Sequence, residues 1–177
     1  MTTEMVDPTT EGAPAMAVRE LGNERTRVYV DGLDVVFERV FDAPLELVWR
    51  VYTEPERIAR WWGTHGSTTE VLVMDLRPGG RWHYLSHAPD REPIGFLGDY
   101  LEVEPPHRIV RTFAVEGADF APGRETMTLE DLGDGRTRIR ETGHFGSQAE
   151  LDFQVGVGMV EGALAQYDRL GAEIAKG

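Results

Sequence analysis

Glu141 and His144 are the residues whose types and spacing best suit chemistry. Glu141 shares strand parity with Ile139 in the segment Thr137–Gly143, so it points with Ile139 toward the apolar side. A carboxyl held in an apolar cavity has a raised pKa and can shuttle protons. His144, three residues on, can partner it where the next helix begins. The structural alternative for Glu141 is an ion pair with Arg111 or another neighbouring Arg across the sheet, and it is the preferred one.

Other chemistries find less support. Cysteine is absent, which excludes disulfides, thiolate metal sites and cysteine nucleophiles. His83 and His87 share a strand face, but four residues along a strand span about 13 Å, too far to share an ion. His65, His107 and His144 add no cluster of ligand spacing, so no metal is expected. Ser67, Ser86 and Ser147 lie outside any Gly-x-Ser-x-Gly elbow. Gly133–Gly135 is a hairpin signal, and Gly156–Gly158 precedes no βαβ unit. No nucleotide or other cofactor is expected.

Charge narrows the partners. A net charge of −13 over 177 residues disfavours nucleic acid, whose phosphates need clustered Lys and Arg. It also disfavours docking on anionic headgroups. No window approaches the roughly 18 unbroken apolar residues of a membrane helix, so membrane insertion is not expected. Residues 1–17 carry Glu4, Asp7 and Glu11 but no basic residue. They do not read as a signal peptide, and a cytoplasmic location is expected.

Positioning these side chains falls to an ordered series of elements. Residues 1–17 are rich in Thr, Pro and small residues and read as a disordered tail. Residues 18–32 hold a possible extra strand, Thr26–Val30, before the Asp31-Gly32 turn. The domain proper, residues 33–177, opens with a strand in which Val35 and Phe37 alternate with Val36 and Glu38. Asp42 as N-cap and Pro44 in the first turn start a short helix with Leu45, Val48, Trp49 and Tyr52 on one face. A second short helix follows Pro55 and ends at Trp61-Trp62-Gly63.

Six strand candidates come next: Thr69–Leu76, Arg81–His87, Ile94–Val103, His107–Val115, Glu125–Leu132 and Thr137–Gly143. Their connections are too short for parallel crossovers, so the sheet is an antiparallel meander. From Ser147 the period becomes helical, with Phe153, Val157, Val160, Leu164, Tyr167 and Ile174 in phase. One helix of about 26 residues, near 40 Å long, is predicted. The fold class is α+β: a curved antiparallel sheet of six or seven strands around a long C-terminal helix, with two short helices after the first strand.

Two features bear on whether the sheet and helix enclose a hollow. Gly156, Gly158 and Gly162 lie in the first half of the long helix, where each costs about 1 kcal/mol against Ala. They either yield space to a ligand or serve close packing, or a break near Gly156. Trp82, Tyr84, Phe96, Tyr100 and Phe113 alternate on neighbouring strands and form either an ordinary core or an adaptable apolar pocket. Read as a pocket, the lining is Trp61, Trp82, Tyr84, Phe96 and Phe113, extended by Met127, Phe153 and Met159. Glu141 is its polar contact.

The combination of motifs resembles a known family. It runs Asp42-Ala43-Pro44 with Val48-Trp49, Pro55 with Ile58, Trp61-Trp62-Gly63, and Pro78-Gly79-Gly80 before an aromatic strand. Gly98 with Glu102-Val103-Glu104-Pro105-Pro106, the pair around Gly133-Asp134-Gly135-Arg136-Thr137, and Gly162 with Leu164 and Leu170 complete it. Over about residues 35–175 the chain is similar to bacterial proteins related to the C-terminal domain of the activator of heat-shock-protein-90 ATPase. These belong to the START-like, or SRPBCC, superfamily with the birch-pollen-allergen-like helix-grip fold. The resemblance implies a cavity for hydrophobic small molecules and makes a homodimer an expectation. Many relatives carry Trp after the helix glycine, whereas this chain has Ala163, which should enlarge or reshape the cavity.

Three functions therefore enter. The first is binding of a hydrophobic or amphipathic small molecule, lipid-like or aromatic, as carrier or sensor and without catalysis. The second is a cyclase or dehydratase acting on a polyketide-type substrate with Glu141 as acid and base. The third is a chaperone ATPase-activating module, against which residues 1–32 are too short to supply the further N-terminal domain of the eukaryotic activators.

Overall fold

Alternating side chains punctuated by glycine turns organise this chain into strands before any distant contact is needed. The computed structural model describes residues 18–63 and 66–177. The tail expected at 1–17, and His65, lie outside the described residues.

Three strands come first, β1 (Arg19–Glu20), β2 (Arg27–Asp31) and β3 (Asp34–Phe41), then α1 (Leu45–Thr53) and α2 (Pro55–Trp61). The meander is β4 (Thr68–Met74), β5 (Arg81–Ala88), β6 (Arg91–Glu104), β7 (Arg108–Val115), β8 (Gly123–Gly133) and β9 (Arg136–His144). Helices α3 (Gln148–Gly156) and α4 (Met159–Ile174) close the chain. The strands form one antiparallel sheet ordered β1-β2-β3-β9-β8-β7-β6-β5-β4.

Six or seven strands were too few, because nine occur among the described residues. The extra ones come from residues 18–32. β2 places Val28 opposite Phe37 on β3 and buries it completely, which a half-apolar pentapeptide achieves only beside an existing strand.

The long terminal helix is also corrected: it is two helices. Gly158 adopts φ +91°, in the left-handed region that only glycine enters cheaply, and separates α3 from α4. Ser147 caps α3, its Oγ accepting from the Glu150 N–H, while the Glu150 carboxylate accepts from the Gly146 N–H. At the start of α1 the N-cap is Pro44, not Asp42, and no side chain caps it.

α4 lies over the sheet and is held at several points. Val160, Tyr167, Leu170 and Ile174 bury its apolar stripe. A Cβ on Gly171 would sit 3.3 Å from the Phe41 ring, so glycine allows close approach to β3. Arg39 on β3 donates to Asp168 at 2.8 Å. Buried Glu173 accepts from Arg60 of α2 and Lys176, both at 2.9 Å. Those two donors, Lys176 first, hold its carboxyl below the usual range.

Beyond α4, aromatic rings pack on the concave side. Trp62 packs edge-on against Tyr84 at 5.2 Å and Phe96 at 5.0 Å. Trp82 lies across Gly98, where any Cβ would collide with the Thr112 carbonyl. The Trp82 indole N–H donates to that same carbonyl at 3.2 Å.

Candidate functional site

The rings stop short of filling the hollow. A cavity of about 530 Å³ remains between the concave face of the sheet and helices α3 and α4. Val35 and Phe37 on β3, Phe96 on β6 and Phe113 on β7 form its apolar walls. Met159, Gly162, Ala163 and Tyr167 roof it from α4, and a Cβ on Gly162 would meet open space. Phe120, in the β7–β8 connection, and Phe153, on α3, face each other at the mouth with centroids 6.1 Å apart. Both are about half exposed.

Charged groups collect at one end of this apolar space. Register explains how: Arg111 of β7 pairs with Glu125 of β8, while Glu141 of β9 sits between Met127 and Phe37. All three charged residues reach the cavity. Arg111 Nε and Nη2 each lie 2.8 Å from Glu125 Oε2, and the guanidinium stacks 4.3 Å over the Trp82 ring. Burial pushes the Glu125 carboxyl above the usual range; Arg111 opposes this and the Glu141 charge adds to it. Burial also acts to lower the Arg111 pKa, but Glu125 and the phenols of Tyr52, Tyr84 and Tyr100 outweigh it, so the guanidinium stays charged.

Glu141 is held differently from either sequence reading. Its Oε1 accepts from the Tyr52 hydroxyl of α1 at 2.8 Å and its Oε2 from the Tyr167 hydroxyl of α4 at 2.7 Å. Arg111 is not its partner, because Glu125 occupies the guanidinium. His144 is not its partner either: Nδ1 lies 2.6 Å from Asp34 on the exposed side of β3. Burial, and then the Glu141 charge, push the Tyr52 and Tyr167 phenols well above their usual range.

The expected lining residues separate into two groups. Phe96, Phe113, Glu141, Phe153 and Met159 reach the cavity, and so does His144. Trp61, Trp82, Tyr84 and Met127 do not, and each is almost completely buried. Trp61 turns away to pack, tilted, against Tyr52 with centroids 5.2 Å apart, and donates its indole N–H to the Val51 carbonyl. Trp82 and Tyr84 lie behind Trp62, which faces the cavity in their place.

Glu125, Tyr52 and Tyr167 escaped notice as polar site residues. Parity held a signal for two of the charges. Arg111 shares a face with Ile109 and Phe113, and Glu125 with Met127 and Leu129, so both charges point inward.

Among the described residues, no group of three or more His, Asp or Glu gathers as a metal site. No described helix is long and apolar enough to cross a membrane.

Comparison with known proteins agrees with this architecture. The crystal structure of protein Ms6760 from Mycobacterium smegmatis is 25% identical, with 90% of this chain and 96% of that one covered and a TM-score of 0.74. A solution structure of an Arthrobacter aurescens protein is 23% identical over 85% and 91% of the two chains, with a TM-score of 0.77. Protein CV1439 from Chromobacterium violaceum is 26% identical over 80% and 96%, with a TM-score of 0.69. No curated protein matches the sequence. The fold is the helix-grip arrangement, which is compatible with small-molecule binding. Residues 42–175, from just before α1 to the end of α4, match the family described as activator of Hsp90 ATPase homolog 1-like protein, and the chain belongs to that family.

Proposed function

We propose that the protein binds a hydrophobic or amphipathic small molecule, lipid-like or aromatic, inside this cavity and acts as its carrier or sensor. The observation that carries the reading is the cavity of about 530 Å³, a size typical of small-molecule sites. Apolar atoms facing a void forfeit dispersion contacts, and a fitting ligand restores them. Gly162 and Ala163 support the same reading. Larger helix-forming residues there would fill the space and stabilise the helix.

Native mass spectrometry of protein purified from its own host tests this. A small retained mass, one per chain and released on unfolding, is expected. A chain that arrives empty and also takes up no apolar probe contradicts the reading.

One feature favours a second reading, a cyclase or dehydratase on a polyketide-type substrate. The Glu141 carboxylate reaches the cavity flanked by two phenol hydroxyls, a set able to accept and return a proton. Turnover of such a substrate that collapses in Glu141→Gln would establish it. Binding without turnover leaves the carrier reading.

A further inference from the structure

The polar end of the cavity holds one carboxylate without a cationic partner among the described residues, Glu141. Arg111, Glu125 and Glu141 all reach it. Arg111 is engaged by Glu125 through two nitrogens and by the Trp82 ring. Glu141 receives only the hydroxyls of Tyr52 and Tyr167. Among the described residues, no Arg, Lys or His forms an ion pair with it. With Arg111 committed to Glu125, the Glu141 carboxylate faces the apolar wall without a cation of its own.

That arrangement discriminates between ligand charges. An anionic headgroup would have to draw Arg111 away from Glu125 and then lie near two carboxylates, so repulsion opposes it. A neutral ligand leaves the Glu141 charge uncompensated in a partly desolvated place. A cation supplies the missing partner. Two aromatic rings lie beside Glu141. Phe37 is the cross-strand neighbour of Glu141 and stacks on Tyr167 with centroids 6.0 Å apart. Both residues line the cavity, where ring faces attract a cation.

We propose, building on the binding role above, that the ligand class is an amphipathic cation. Its apolar or aromatic body lies against Phe96 and Phe113, and its protonated amine or other cationic nitrogen seats on Glu141 beside Phe37 and Tyr167.

Isothermal titration calorimetry at neutral pH with decylamine, decanol and decanoate tests the assignment, because the three share one chain length and differ in headgroup charge. Decylamine is expected to bind at least about tenfold more tightly than decanol, with decanoate weakest. Glu141→Gln keeps the shape and removes the charge, and should abolish the preference, so that decylamine and decanol bind this variant with the same affinity. The preference should survive added salt, since screening weakens inside a protein, whereas a diffuse pull from the chain's net charge would fade.

Equal binding of decylamine and decanol, or a preference that persists in Glu141→Gln, overturns the cationic class and leaves the cavity reading standing. Absence of binding by all three overturns both. Competition in the wild-type protein needs no variant: decanol must displace decylamine, and failure to do so overturns the assignment.

Discussion

Tyr167 on α4 donates its hydroxyl to Glu141 on β9 over 2.7 Å, so the terminal helix is latched to the sheet through a carboxylate that faces the cavity. Tyr52 grips the other oxygen of the same group from α1. One side chain thus ties three elements together at the place where apolar packing is incomplete. Hydrogen bonds to a charged group are among the stronger polar contacts, which suits a helix that spans a hollow.

Removing one phenol hydroxyl should therefore loosen the latch. Tyr167→Phe and Tyr52→Phe are each expected to cost about 1.5–3 kcal/mol. The double variant should cost more than the sum, because it leaves the carboxylate bare. Urea midpoints of the four proteins provide the cycle.

Arg111→Met should be more damaging. It strands Glu125 without its cation in a buried setting, with an expected loss of about 3–5 kcal/mol. Adding Glu125→Gln should restore part of that loss. Guanidinium unfolding of the single and double variants checks both statements.

Alkaline pH should unfold the protein through its buried phenols. Burial raises Tyr52, Tyr84, Tyr100 and Tyr167 above their unfolded value, which is about 10. A raised phenol contributes its full stability below about pH 10 and loses it as pH climbs through the folded-state value. The urea midpoint should fall above that pH. Phenolate absorbance from these residues should rise together with unfolding rather than before it.

Local rules carried much of this architecture. The Gly133-Asp134-Gly135 hairpin has all three residues at positive φ, which is what that tripeptide supplies without tertiary help. α2 ends where Trp62 turns extended, and Gly63 follows at φ +115°. The glycines admit a break near Gly156 as one alternative, and it lies at Gly158, but periodicity does not favour it. Phe153, Val157 and Val160 keep a helical spacing straight across it, so hydrophobic periodicity sees no interruption. The site was only half legible. Parity points Glu141, Arg111 and Glu125 inward, but pairing Arg111 with Glu125 depends on the β7–β8 register. That register is fixed by long-range strand pairing that no local pattern encodes. Trp82 and Tyr84 point to the concave side as parity says, yet Trp62 covers them.

Two glycines, one between α3 and α4 and one inside α4, should respond oppositely to alanine. Gly158→Ala places a side chain at φ +91° and should cost about 1–2 kcal/mol. Gly162→Ala adds a Cβ that meets open space and should gain up to about 1 kcal/mol through helix propensity. Thermal unfolding of both variants separates a backbone requirement from mere absence of a side chain.

The most direct test of an open ligand cavity is a titration of wild-type protein and Ala163→Trp with the neutral fluorophore N-phenylnaphthylamine. Ala163 roofs the hollow from α4, so an indole there should occupy the space. The account predicts saturable fluorescence at one probe per wild-type chain, and its loss in a folded Ala163→Trp protein. Absence of saturable binding to wild type, or unchanged binding in Ala163→Trp, would contradict it.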